Sequence, residues 1–209
     1  MRTSRRHFPG VRRVRNSLST LALTVAVAAM AAACSGPSTG GQVPDETSAT
    51  SATTAPDLPP RLRDVDLTGV DACTLLASEQ QRQLGIDRPP KASVETDRYG
   101  NTYCDYRHSL SSPRFGYQLK VVTQEDAAVY LTGERNAVAQ VVSAAGFPVV
   151  TARRPTDERG CFALVSTTDG QYLSVQYGES TGSNDTSEAA CEKARVAAEM
   201  AMQTLLTQR

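Results

Sequence analysis

Four cysteines, at positions 73, 104, 161 and 191, constrain this 209-residue chain more tightly than any other feature. An even set of thiols in one body can close two disulfides, provided the chain leaves the reducing cytoplasm. Four thiols allow three pairings. A four-cysteine zinc site is disfavoured, because the spacings are wide and no C-x-x-C is present. The same absence argues against a redox dithiol. A fifth cysteine, Cys34, stands well ahead of the others and needs its own account.

The N-terminus supplies that account. Arg2, Arg5, Arg6, Arg12, Arg13 and Arg15 load the first fifteen residues with positive charge and no acid. An apolar run follows from Leu18 to Ala33, and small residues lead into Cys34. A basic n-region, an apolar h-region and a small-residue cleavage site are the order of a secretory signal. A lasting membrane span needs about 20 mainly apolar residues, and this run falls short. Ala31-Ala32-Ala33-Cys34 resembles a bacterial lipobox, with Ala31 where Leu is commonest. That resemblance implies cleavage before Cys34 and acylation of its thiol. Two or more chains anchor a protein stably where one is marginal. Ordinary signal cleavage leaving a free thiol, and a retained span, are the alternatives. Ser4-Arg5-Arg6-His7-Phe8 also resembles a twin-arginine export signal, so either export route stays open.

We therefore divide the chain into a signal over 1–33, a lipidated Cys34 with its tether over 34–60, and a globular domain over 61–209. The tether is rich in Ser, Thr, Gly and Pro and nearly empty of large apolar side chains. Such a segment cannot bury enough surface to offset the entropy of ordering it. Removing the six N-terminal arginines from 22 basic residues leaves 16 against 22 acidic ones. A mildly acidic body lacks the electrostatic footprint of nucleic-acid binding, and we exclude that class.

Within the domain, Asp71 to Gly85 reads as a helix, with Asp71 as cap and Gly85 as its left-handed stop. Strand-like runs follow at Thr102–Arg107, Phe115–Thr123, Val149–Arg153, Cys161–Thr167 and Tyr172–Tyr177. Asp169-Gly170 signals a hairpin, since both turn positions can take positive φ. Gln124–Leu131 reads as a short helix, and Ala137–Ala145 as a second whose valines leave a strand open. Asp185 with Glu188 resembles a capping box, and Cys191, Ala194, Ala198, Ala201 and Leu205 form a helical stripe. Strands between terminal helices predict an α+β fold, an antiparallel sheet packed against N- and C-terminal helices. On this layout Cys73–Cys104 and Cys161–Cys191 is the favoured pairing, since each bond ties a terminal helix to a strand.

Cys73-Thr74-Leu75-Leu76, Cys104-Asp105-Tyr106, Cys161 in a strand and Cys191-Glu192-Lys193-Ala194 in a final helix carry a resemblance. Together with the lipobox and tether, they are similar to the actinobacterial lipoproteins called domain of unknown function 3558. Members often carry Trp two residues after the second cysteine, where this chain has Tyr106. The resemblance implies an envelope lipoprotein of no established activity.

Catalytic chemistry is thinly represented. His7 leaves with the signal, so a Ser-His-Asp triad would have to use His108, which reads as an exposed histidine at a strand end. No H-E-x-x-H and no phosphate-binding loop appears. Asp64 with Asp66, Asp157-Glu158 and Arg153-Arg154 read as surface charge. Tyr103, Tyr106, Tyr117, Tyr172 and Tyr177 lie in predicted strands, either lining a binding face or filling half-buried positions. No catalytic, metal or cofactor site is assigned. The reading is a non-catalytic envelope lipoprotein, held to the outer face of the cell membrane through Cys34, that contacts an envelope protein or small ligand. An envelope hydrolase using His108 or surface carboxylates is one alternative. A structural or inhibitory protein docking an envelope partner is another.

Overall fold

The computed structural model describes residues 56–181 and 185–209. Seven strands form one antiparallel sheet: β1 (Lys91–Thr96), β2 (Thr102–His108), β3 (Arg114–Val122), β4 (Val138–Ala144), β5 (Phe147–Arg153), β6 (Gly160–Thr168) and β7 (Gln171–Thr181). Their spatial order is β1-β2-β3-β7-β6-β5-β4. The first three strands meander from one edge to the middle. The chain then crosses to the far edge and meanders back until β7 pairs with β3, from Val122↔Tyr172 to Arg114↔Thr181. That central ladder joins the two halves.

Alternation of side chains explains which face is covered. Cys104 and Tyr106 of β2, Tyr117 and Leu119 of β3, and Leu173, Val175 and Tyr177 of β7 all point into the main core. The C-terminal helix α2 (Ser187–Gln208) lies on that face, against β5, β6 and β7. Its buried residues include Ala190, Ala194, Ala197, Ala198 and Ala201, so small side chains let helix and sheet approach closely. β5 is buried at every position from Phe147 to Ala152. Its opposite face is covered by a short 3-10 turn, Ala127–Leu131, with Val150, Ala152, Leu164 and Tyr172 in a second, smaller core. A strand covered on both faces reads as a continuous apolar run rather than an alternating one.

The two disulfides are Cys73–Cys104 and Cys161–Cys191, with Cα–Cα distances of 5.1 and 4.8 Å. The first joins the N-terminal turn region to β2, and the second joins β6 to α2.

Several elements differ from the sequence expectation. The helix over Asp71–Gly85 is broken into a 3-10 turn, Ala72–Thr74, and a six-residue helix α1, Ser78–Gln83, with Ala77 extended between them. Side chains satisfy the backbone at the break. The Asp71 carboxylate accepts from Cys73 N–H, Gln81 Nε2 donates to the Leu76 carbonyl, and Gln80 Oε1 accepts from Ala77 N–H. Gly85 does end the helix at φ 71°. Leu75, Leu76 and Leu84 join the main core as the periodicity predicts.

The helix expected over Ala137–Ala145 is strand β4, in keeping with its β-branched valines. It turns into β5 through Ala145 and Gly146, both at positive φ, which is the backbone of a two-residue type I′ hairpin. The short helix expected over Gln124–Leu131 is the 3-10 turn, capped by Asp126. At the Asp169-Gly170 hairpin only Gly170 takes positive φ, and the ladder is irregular between Ser166 and Thr168. The cap of α2 is Thr186, whose hydroxyl accepts from Ala189 N–H, while the Asp185 carboxylate pairs with Lys193. β1 has no counterpart in the sequence expectation, because Lys91–Thr96 is mostly exposed and lacks apolar alternation.

Candidate functional site

His108 closes β2, and three groups converge on its ring, Gly85 and Asp87 from the segment before β1 and Ser111 from the loop after β2. Its Nδ1 lies 2.7 Å from the Gly85 carbonyl and 3.2 Å from Asp87 Oδ2. Its Nε2 lies 2.9 Å from Ser111 Oγ. A carbonyl oxygen can only accept, so Nδ1 carries a hydrogen and, in the neutral ring, Nε2 accepts from the Ser111 hydroxyl. Phe115 stacks on the imidazole at 4.7 Å between centroids. The histidine is thus half-buried and fully engaged, not the exposed side chain expected from sequence.

Asp87 serves the loop as well as the ring. Its two oxygens accept from Ser109 N–H at 2.9 Å and Leu110 N–H at 2.8 Å. Burial pushes this carboxyl up, but those two N–H donors and the charges of His108 and Arg88 outweigh it and hold the pKa below the usual carboxylate value. Sequence reasoning names His108, and Ser111 only as part of the loop-like run 109–112 after it, and misses Asp87. Ser111 sits three residues beyond the histidine, and only the fold brings Asp87 alongside.

The other candidates are placed as follows. Cys34 lies outside the described residues. The Asp64 carboxylate accepts from Arg61, and Asp66 accepts from Thr68 and Gln171, so each is occupied separately. Asp157 accepts from Arg159 N–H in its own turn. Among the described residues no group of three or more His, Cys, Asp or Glu side chains could hold a metal ion.

The tyrosines do not line an open face. Tyr106, Tyr117, Tyr172 and Tyr177 are buried, and Tyr103 is half-buried. Tyr106 donates from its hydroxyl to the Ala72 carbonyl at 3.0 Å. Burial pushes its phenol up to about 12, against the Leu76 backbone bond that lowers it. Tyr117 and Tyr177 pack with Phe115 as an aromatic cluster, with Lys193 Nζ 5.0 Å from the Tyr177 ring centroid. A hollow of about 300 Å³ opens beside this cluster, lined by Leu84, Phe115, Tyr117, Val196, Lys193 and Glu192 among others.

With the paired cysteines and the helix–sheet layout in place, comparison with known families is decisive. A family model described as Protein of unknown function (DUF3558) matches residues 29–204. The chain belongs to this family. The matched range takes in both disulfides of the DUF3558 domain, all seven strands and most of α2. No curated protein and no solved structure matches the chain. Among the described residues no helix is long and apolar enough to cross a membrane.

Proposed function

We propose that this DUF3558 chain is an exported envelope lipoprotein, anchored at the outer face of the cell membrane through an acylated Cys34. Its domain over 61–209 acts as a non-catalytic binding or accessory module, and the tether over 34–60 holds it clear of the lipid. The observation that carries the reading is the pair of disulfides, Cys73–Cys104 and Cys161–Cys191. Bonds of this kind persist in oxidising compartments, which suits a chain that opens with a basic segment, an apolar run and a lipobox-like cysteine. The ligand class fits an envelope protein, or a small molecule with an apolar body at the Leu84–Phe115–Tyr117–Val196 hollow. Nucleic acid does not fit the acidic body. Growth with a fatty-acid analogue is expected to label the wild-type chain and leave Cys34→Ala unlabelled and retained at its unprocessed mass. A Cys34→Ala protein that still takes label would refute the anchor.

One observation favours a second reading, an envelope hydrolase. Ser111, His108 and Asp87 stand within hydrogen-bond reach in the order of nucleophile, base and orienting acid. We prefer the loop-fastening role. Nδ1 lies closer to the Gly85 carbonyl than to Asp87, and both Asp87 oxygens are taken by loop N–H groups. A fluorophosphonate probe is therefore expected to leave Ser111 unmodified. Labelling of Ser111 that is abolished by His108→Ala would move the assignment to a hydrolase.

A further inference from the structure

The two edges of the sheet are unlike. At one edge, β1 follows Pro89-Pro90, carries Lys91 and Glu95, and pairs with an irregular register between Ala92 and Thr96. Charge, proline and bulges are the devices that keep an open edge from pairing with another chain. At the other edge, β4 has none of them. Its sequence, VAQVVSA, is free of charge and proline, and it pairs with β5 without a break from Val138↔Arg153 to Ala144↔Phe147. Val138 is 51% exposed and Val141 39%. An uncharged, regular edge strand with exposed valines is a template for another strand.

We propose that β4 pairs antiparallel with β4 of a second copy of this chain, about a two-fold axis at Val141. The register follows from the hairpin. In a two-residue turn the closing pair, here Ala144 and Phe147, exchanges backbone bonds, and exchange then alternates along the ladder. Ala144, Val142, Gln140 and Val138 therefore spend their backbone groups on β5. Ala139, Val141 and Ser143 turn theirs outward. A two-fold at Val141 sets that residue against itself, Ala139 against Ser143 and Val138 against Ala144. Every opposed pair shares parity, so each side chain keeps its face of the sheet.

No like charges are opposed anywhere along the strand. Beside β4, a groove of about 290 Å³ facing α2 is rimmed by Arg153 and Arg195 and by Glu188 and Glu192. This balance of two cations and two anions adds no net repulsion between identical surfaces. An isologous two-fold contact is the commonest way for a chain to meet its own copy. This inference goes beyond the anchored-module reading and stands without it.

The full chain purified in mild detergent, whichever cell fraction it comes from, tests the pairing. The wild type is expected to sediment at twice the chain mass, and Val141→Lys at the single-chain mass. On non-reducing gels, Val141→Cys is expected to form a covalent dimer, since the two thiols face each other across the axis. Val94→Cys, on the 96% exposed position of the guarded β1 edge, is the matched control and is expected to stay monomeric. A wild type that sediments as a monomer overturns the proposal. So does dimer formation that is equal for the two cysteine variants, or capture at Val141→Cys of a chain of different mass.

Discussion

Replacing Cys161 and Cys191 together with alanine is expected to lower the unfolding free energy by about 3.6 kcal/mol. The bond spans a sequence separation of 30 residues, and closing a loop of that length removes about 12 cal/mol/K from the unfolded ensemble. For a domain of this size, that loss corresponds to a fall of roughly 7–14 °C in Tm. The bond also holds α2 to β6, the strand through which the main core reaches the second half of the sheet. Urea unfolding of the variant and wild type under oxidising conditions checks the figure. A change under about 1 kcal/mol would show that helix packing alone secures the C-terminus.

The second large effect is expected at Leu205→Ala. Leu205 is fully buried near the end of α2, in the core that also holds Leu67, Leu75 and Met202. Truncating a buried leucine costs the transfer of the lost methyl groups plus the cavity left behind, together about 2–5 kcal/mol. Leu110→Ala offers the same chemistry at a side chain that is 67% exposed, so it is expected to stay within about 0.5 kcal/mol. Denaturant midpoints for the two variants decide the matter. Equal losses would mean that α2 is not seated on the sheet as described.

The contrast between what sequence disclosed and what it hid has a physical basis. The four body cysteines paired as the layout implied because each pair lies about 30 residues apart, one in a terminal element and one in a strand. The stripe Ala194, Ala198, Ala201 and Leu205 was legible because tertiary packing used the helix period without interruption. β4 was ambiguous because Ala, Gln and Val tolerate both periods, and pairing with β5 settled it. The break in the first helix depends on Gln80 and Gln81 bonding to the backbone, which no periodicity reports. Asp87, and Ser111 as a partner of the ring, were invisible for another reason. The loop carboxylate of Asp87 becomes a neighbour of His108 only once Gly85 turns the chain and β2 runs alongside, and Ser111, three residues on, is singled out only by the way its loop folds back. β1 escaped notice because an exposed edge strand needs no apolar pattern to form its ladder.

The placement of Cys73–Cys104 has a mechanical consequence. A pull on the N-terminal end of the domain would reach Leu62, Val65 and Leu67 first. Their N–H groups are held by the Gly146 carbonyl, the Thr167 carbonyl and the Gln171 side chain. Those bonds can give way one after another. At Cys73 the load passes through a covalent link into β2, a strand flanked by β1 and β3. Under such a pull, residues 56–72 would yield before the sheet, at the cost of drawing Val65 and Leu67 from the core, and the disulfide would stop the unravelling at Cys73.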